Sequence, residues 1–186
     1  MESSNETDEE VAKRVQSGDT EQYRHLVDRY QQRLMRYGKS LLFDHTDIED
    51  IVQEVFIKAF QNIQGFDAER KFSPWIYRIA HNSFVNHGKR RSRSLVDYFD
   101  LEVFLPYMPS TTNVEKDVDR IELSKDVEVA LAKVSEKYRE PLALYFFENL
   151  SYQEIADVLH IPINTVGIRI LRGKEKLKEH LKIYST

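Results

Sequence analysis

Residues 151–172 read SYQEIADVLHIPINTVGIRILR, a stretch that predicts two helices separated by a tight break. It opens with the pattern Ser-x-x-Glu, a capping box that starts a helix. The proline-containing residues 160–163 form the break, and Asn164 or Thr165 can cap the second helix. A short helix, a turn of three or four residues and a second helix make the helix-turn-helix arrangement.

The second helix of this pair carries the cations Arg169, Arg172 and Lys174. In a helix-turn-helix protein that helix enters the major groove of DNA, with its N-terminal residues facing the base edges. The pattern therefore favours binding to duplex DNA. An ordinary helical hairpin with a solvated basic tail has the same features and stays open as an alternative.

The rest of the chain is also helical in pattern, with no convincing alternation typical of strands. Apolar residues spaced for one helix face run from Tyr23 to Leu41 and again from Ile48 to Ile63. Thr46 and Glu49 predict a capping box for the second of these helices, and Gly65 a stop. A third helix is expected to open at Ser73-Pro74. The fold class that follows is all-α.

A break in this pattern predicts two helical domains. Prolines and a polar run interrupt residues 94–113, which we interpret as part of a flexible acidic linker. Beyond it, Ser135 can cap a further helix. Pro141 lies too deep for a first turn beginning there, so that helix either kinks or starts later, near Arg139.

The composition excludes several classes of protein. There are no cysteines among the 186 residues, which removes disulfides, thiolate zinc sites and cysteine nucleophiles. No apolar run approaches the roughly 20 residues that cross a bilayer, and residues 1–10 are acidic and polar, unlike a secretory signal. We expect a cytoplasmic protein without membrane insertion. The histidines lack acid partners at useful spacing and no glycine-rich phosphate loop is present, so we expect neither an enzyme nor a bound cofactor or metal.

The net charge of −4 hides a segregation of charges along the chain. Residues 69–93 contain seven Lys or Arg against one acid, and residues 169–182 contain six against two. Residues 44–54 contain five acids and no base, and residues 97–128 nine acids against three bases. Basic blocks can meet phosphate while acidic blocks meet a basic protein surface. Solvated surface charge is the alternative interpretation.

The basic block at residues 66–93 is interleaved with aromatic residues. Aromatic faces stack on unpaired bases while cations follow the backbone, which is how single strands are bound. Trp75 and Ile79 have helical spacing, so Trp75 is expected to be buried. Tyr77 and Arg78 lie off that face and are the better candidates for contacts.

Two motifs are carried by residues 70–82, RKFSPWIYRIAHN, and residues 47–60, DIEDIVQEVFIKAF. The first is similar to the signature R-x-F-x-x-W-L-Y-R-I-A-x-N, and the second to a helix that docks on the polymerase clamp. Both resemble domain two of a known family, the extracytoplasmic-function group of bacterial sigma-70-type sigma factors. Residues 134–140 and the helix-turn-helix are similar to domain four. The resemblance implies domain two at residues 1–93, a linker at 94–116 and domain four at 117–186.

The resemblance also implies partners and site residues. The partners are core RNA polymerase, through its clamp and flap regions, promoter DNA and, as a further candidate, an anti-sigma protein. The implied polymerase-binding residues are Asp47, Asp50, Gln53, Glu54, Phe56 and Lys58. Those that melt and read the −10 element are Phe66, Arg70, Lys71, Phe72, Tyr77, Arg78, Asn82, Asn86, Lys89 and Arg90. Those that read the −35 duplex are Asn164, Thr165, Gly167, Ile168, Arg169, Arg172 and Lys174.

The second helix of the pair departs from the family pattern G-T-V-K-S-R-x-x-R-A. Gly167 and Ile168 replace a cation and a hydroxyl, and His160 stands where a glycine usually ends the first helix. Gly167 and Gly173 each weaken a helix by about 1 kcal/mol. We expect an altered −35 affinity, with Ile168 able to meet a thymine methyl. A standalone helix-turn-helix regulator is the alternative function, and the clamp-type helix argues against it.

Overall fold

The computed structural model describes residues 6–41, 47–91 and 130–182, and all regular structure in these ranges is helical, which confirms the all-α prediction. The helices are α1 (Asp8–Gln16), α2 (Tyr23–Leu41), α3 (Ile48–Asn62), α4 (Phe72–Arg91), α5 (Glu136–Glu148), α6 (Tyr152–Leu159) and α7 (Ile163–Lys182). None of these described helices is long and apolar enough for a bilayer crossing. The expected linker at residues 94–116 lies outside the described residues.

Helices α1 to α4 form the first unit, and its core is a stack of rings between α2 and α4. Tyr37 contacts Tyr77 edge to face at 5.2 Å between centroids and Phe84 at 6.0 Å. The ring of Phe84 can come this close to α2 because Gly38 has no side chain there. A Cβ at Gly38 would lie 2.6 Å from Phe84 Cζ. The apolar faces predicted for α2 and α3 are the faces that this core buries.

Helix α1 was not predicted, although its start signal is present in the sequence. The Thr7 hydroxyl accepts a hydrogen bond from Glu10 N at 3.2 Å, and the Glu10 carboxylate accepts one from Thr7 N at 2.8 Å. This is the Thr-x-x-Glu capping box. The acidic composition of residues 1–10 was interpreted only as evidence against a secretory signal. Acids in the first turn stabilise a helix, so this composition also favours α1.

Three predicted helix boundaries need correction. Helix α3 has Asp47 as its N-cap, without a side-chain cap bond, and Thr46 lies outside the described residues. Helix α4 begins at Phe72, one residue before the predicted Ser73. Helix α5 begins at Glu136 and contains Pro141, so the later start near Arg139 is wrong.

The second unit contains α5, α6 and α7, and it has the predicted helix-turn-helix geometry. The Ser151 hydroxyl accepts from Glu154 N, which confirms the capping box of α6. His160 ends α6 in the left-handed conformation, with φ of 55°, which explains why a glycine is common at such a position. Helix α7 begins at Ile163, so neither Asn164 nor Thr165 caps it as predicted.

The two units pack against each other. Helix α5 lies on α2, and α6 lies on α4. The described part of the chain therefore forms one body in which the helix-turn-helix covers part of the first unit.

Gly173 has a packing role that the sequence analysis missed. A Cβ at Gly173 would lie 2.7 Å from Leu142 Cδ1 and 3.2 Å from the backbone oxygen of Tyr138. The missing side chain thus lets α7 approach α5 closely. Gly173 weakens α7 as expected, and in exchange it allows the close contact between α7 and α5. Gly167 differs, because its nearest neighbour would be Tyr152 Cε2 at 3.6 Å, an ordinary contact.

We predict that Gly173→Ala lowers the free energy of unfolding by about 1–3 kcal/mol, the usual effect of overpacking. Gly167→Ala is the matched control on the same helix. It should be neutral or stabilising by up to about 1 kcal/mol, since alanine is the better helix former. Urea unfolding followed by circular dichroism measures both. Equal effects of the two substitutions would contradict the close approach at Gly173.

Candidate functional site

The loop before α4 is held by its aromatic residues and by α1. Phe66, Phe72 and Trp75 contact one another with centroids 5.1–5.4 Å apart. The Gln16 amide donates to the backbone oxygens of Ile63 at 2.7 Å and Phe66 at 2.8 Å. The rings and these bonds make the loop a rigid support.

This packing corrects three expectations about ring exposure. Phe66 is 6% exposed, and Phe72 and Tyr77 are fully buried. The prediction that Tyr77 lies off the buried face is wrong, because its ring packs between Tyr30 and Tyr37. Trp75 is only partly buried, at the edge of the same core. These rings are structural in the described conformation.

The polar candidates of the same region are accessible. Arg70 and Lys71 are exposed in the loop, where Arg70 makes a long ion pair of 3.5 Å with Asp67. Arg78, Asn82 and Asn86 are exposed and recur every four residues, so they share one face of α4. We call this set the α4 polar strip. The side chains of Lys89 and Arg90 lie outside the described part of the chain.

The predicted polymerase-binding residues of α3 fall into two groups. Asp50, Gln53 and Glu54 are exposed along the helix. Phe56 is 8% exposed and faces the core, which corrects its expected role as a contact. The other members of the set have partners in the structure. Lys58 pairs with Glu54 at 2.6 Å, and Asp47 contacts His87 at 3.1 Å.

Two apolar residues next to these acids were missed by the sequence analysis. Ile57 is 57% exposed and Phe60 is 41% exposed. Phe60 lies at the edge of the apolar stripe of the helix, which is wider than the core can cover, and that width was the available signal for it. Ile57 lies outside the stripe, on the exposed face of the helix with Asp50 and Gln53. Exposed apolar side chains beside acids are typical of a protein-binding surface.

The helix-turn-helix presents a mixed surface. Asn164 is exposed, while Gly167, Ile168, Arg169 and Arg172 are half-buried.

Two of its other candidates are involved in packing. The Thr165 side chain is buried. The Lys174 ammonium lies 5.2 Å from the centroid of Tyr145 and 5.1 Å from that of Phe146, and burial lowers its pKa. Lys174 is thus held over two rings, a favourable position for a cation.

Comparison with known families accounts for both units. Residues 26–94 match the model of Sigma-70 region 2, and residues 124–177 match that of Sigma-70 region 4. The two matches occur in the order in which the sequence motifs predicted them, on either side of the expected linker.

Whole-chain relatives agree with this result. The chain is 34% identical to the ECF RNA polymerase sigma factor SigW of Bacillus subtilis, over 91% of this chain and 94% of SigW. It is also 34% identical to the ECF RNA polymerase sigma-E factor of Escherichia coli K12, over 92% of each chain.

Solved structures show the same fold. CnrH, in complex with the cytosolic domain of CnrY, matches with a TM-score of 0.67 and 26% identity, over 96% of this chain and 99% of CnrH. The sigma factor RpoE of Bartonella quintana, in complex with the anti-sigma factor NepR, matches with a TM-score of 0.61 and 23% identity, over 86% of this chain and 98% of RpoE. Together with the two region matches, these similarities show that the chain belongs to the extracytoplasmic-function group of RNA polymerase sigma factors, which direct the polymerase to promoters.

Proposed function

We propose that this sigma factor divides its work between two exposed surfaces of the first unit. The exposed residues of α3, Asp50, Gln53, Glu54 and Ile57, dock on core RNA polymerase. The loop cations and the α4 polar strip face promoter DNA. The observation that supports this division is the opposite charge of the two surfaces, since the acids of α3 repel phosphate and the cations attract it.

At the −10 element, Arg70 and Lys71 engage the backbone of the melted strand, and the α4 polar strip provides contacts to bases and phosphates. Lys89 and Arg90 contact promoter phosphates near the melted segment. The buried rings of Phe66, Phe72 and Tyr77 support the surface instead of stacking on bases, because they have little area left for a ligand.

At the −35 element, the N-terminal half of α7 enters the major groove. Asn164 and Ile168 face base edges, and Arg169 and Arg172 contact phosphate or guanine. Gly167 leaves space near the groove floor. Thr165 and Lys174 position the helix from within the second unit.

Further proposals follow from the family. Domain two spans residues 1–93, the linker 94–116 and domain four 117–186. The protein acts in the cytoplasm, as a non-catalytic subunit of a polymerase that carries out the chemistry. RpoE of Bartonella quintana was solved with the anti-sigma factor NepR, so an anti-sigma protein is a proposed partner here. A standalone regulator would not require a region-2 unit, so the presence of this unit disfavours that alternative.

We predict that the free chain binds promoter duplex weakly and that core polymerase makes binding tight. The reason is the net charge of −4 together with the half-burial of Arg169, Arg172 and Lys174 on α7. Gel shifts with and without core polymerase, followed by run-off transcription, measure this. Specific binding by the free chain as tight as that of the holoenzyme would favour the standalone regulator.

The docking surface of α3 is tested by the double variant Asp50→Lys with Gln53→Ala. We expect at least a tenfold loss of affinity for core polymerase, since a charge reversal within a docking surface costs about 1.4 kcal/mol or more. Circular dichroism should be unchanged because both side chains are exposed. Glu21→Lys, an equal charge reversal outside α3, is the control. Retained co-purification of the double variant with polymerase would contradict the proposal.

The structural role of Phe66 gives a separate prediction. Phe66→Ala should lower the free energy of unfolding by about 3 kcal/mol, as for a buried phenylalanine. It should reduce transcription equally on duplex templates and on templates with an opened −10 bubble. Arg70→Ala is the control, since its side chain is 83% exposed, and it should weaken promoter opening without loss of stability. A Phe66→Ala defect confined to duplex templates would show that the ring acts in melting.

A further inference from the structure

One face of helix α1 contacts the loop before α4 at its start, its middle and its end. Glu9, Lys13 and Gln16 are spaced four and three residues apart, so they lie on the same side of the helix. Each of them makes a hydrogen bond to a different part of residues 63–72. We call these three residues the loop face of α1.

Gln16 holds the start of the loop. Its side-chain amide has two N–H donors, and they go to the backbone oxygens of Ile63 at 2.7 Å and of Phe66 at 2.8 Å. In addition, the Gln64 amide donates to the backbone oxygen of Gln16 at 3.1 Å. These three bonds fix the turn that carries the chain from α3 into the loop.

Glu9 holds the end of the loop. Its carboxylate accepts a hydrogen bond at 2.8 Å from the backbone N–H of Phe72, the first residue of α4. The first N–H groups of a helix have no partner within the helix, and the side chain of the preceding residue commonly supplies one. Here the preceding residue is Lys71, whose ammonium group cannot accept a hydrogen bond. Because Glu9 supplies the acceptor from another helix, the position before α4 can hold a cation.

Helix α1 is itself fixed to the core of the first unit. It buries three small apolar residues, Val11, Ala12 and Val15. The Asp8 carboxylate also accepts hydrogen bonds from Arg29 Nη1 and from the Tyr30 hydroxyl, both at 2.6 Å. The helix cannot shift without breaking these contacts, so it gives the loop a fixed point of attachment.

Arg70 lies between the two held ends of the loop, and its side chain is 83% exposed. Asp67 shapes the turn that carries it. The Asp67 carboxylate accepts a hydrogen bond from Glu69 N at 3.1 Å, and its backbone oxygen accepts one from Arg70 N at 2.9 Å. Since so exposed a side chain goes where its backbone goes, the place of the Arg70 guanidinium depends on how the ends of the loop are held.

We infer that Glu9 and Gln16 are positioning residues for promoter opening, because they hold the loop before α4 where Arg70 meets the melted strand. A cation that is already in place loses less conformational freedom when it binds phosphate. The inference rests on the proposed function in one respect, the assignment of this loop to the −10 element. It goes further in making that site depend on α1, a helix outside the proposed DNA-binding surfaces.

The test is a double-variant cycle in the holoenzyme, on one linear promoter found by run-off selection. The readout is the apparent affinity for the open complex, titrated by permanganate reactivity. Gln16→Met keeps the length of the side chain and removes both donors. In the Gln16→Met background, we expect Arg70→Ala to weaken opening at least about threefold less than in the unaltered chain, because residues that act together are not additive.

The cycle separates positioning from a purely structural role. If Gln16→Met only reduced the amount of folded protein, it would lower the apparent affinity equally with and without Arg70→Ala. The effect of Arg70→Ala would then be the same in both backgrounds.

Glu9 is tested by rescue. Glu9→Ala should weaken opening, and Glu9→Gln should restore most of it, because an amide oxygen can still accept from Phe72 N. Lys13→Ala is the matched control from the same face of α1. Its ion pair with Glu69 joins two exposed side chains, and such a pair contributes little. This control should open the promoter like the unaltered chain.

Trp75 reports on the loop in the free chain, without DNA. It is the single tryptophan of the sequence, and its ring contacts Phe66 and Phe72. Gln16→Met and Glu9→Ala should raise the quenching of Trp75 fluorescence by acrylamide, and Lys13→Ala should leave it unchanged. This measurement decides the matter where a variant opens the promoter too weakly for the cycle.

Two results would overturn the inference: additive effects of Gln16→Met and Arg70→Ala on opening, or Trp75 quenching that stays at the level of the unaltered chain in both α1 variants. If Arg70→Ala alone leaves opening unchanged, the proposed role of the loop at the −10 element is wrong and the inference falls with it. If Arg70→Ala weakens opening but equally in both backgrounds, the inference alone is wrong.

Discussion

The structure depends on a constraint that three tyrosines impose. Tyr30, Tyr37 and Tyr77 pack edge to face at 6.4 and 5.2 Å between centroids, so their rings fill the centre of the first unit. A buried hydroxyl that leaves water needs a polar partner. Tyr30 donates to Asp8 of α1 at 2.6 Å, and Tyr37 to Glu140 of α5. The hydroxyl groups of Tyr30 and Tyr37 thereby fix the positions of α1 and α5 against the ring stack.

The sequence predicts the features that have a local pattern and misses those that depend on contacts between residues distant in sequence. The wide apolar stripes of α2 and α3 and the capping box at Ser151 are local patterns, and local patterns predicted those helices. Tyr77 was misjudged because its burial comes from two rings on α2, Tyr30 and Tyr37, which are distant in sequence. Gly173 was misjudged for the same reason, since its role depends on where Leu142 lies.

In the candidate site, too, local patterns were predictable and packing between distant residues was not. The motifs placed the polymerase surface on α3 and the DNA surfaces on α4 and α7, and these assignments stay predictions. They could not distinguish Phe56, which faces the core, from Ile57, which faces solvent. Neighbours on one helix differ by about 100° in direction, and only the packing of α2 and α4 decides which of them is covered. The carboxylates of Glu140, Glu148 and Glu154 meet the first unit, and no pattern predicted those contacts; Glu154 was recognised only as part of the capping box of α6.

Helix α1 has a consequence for the far end of its unit. The Glu9 carboxylate accepts a hydrogen bond from Phe72 N at 2.8 Å, so a residue near the start of the chain satisfies an amide in the first turn of α4. Gln16 and Gln64 add bonds between the end of α1 and the turn before Phe66. Trimming of the N-terminus by a protease, or a fusion partner that displaces α1, would therefore loosen the loop before α4, which is proposed to bind the −10 element, without touching any residue of that loop.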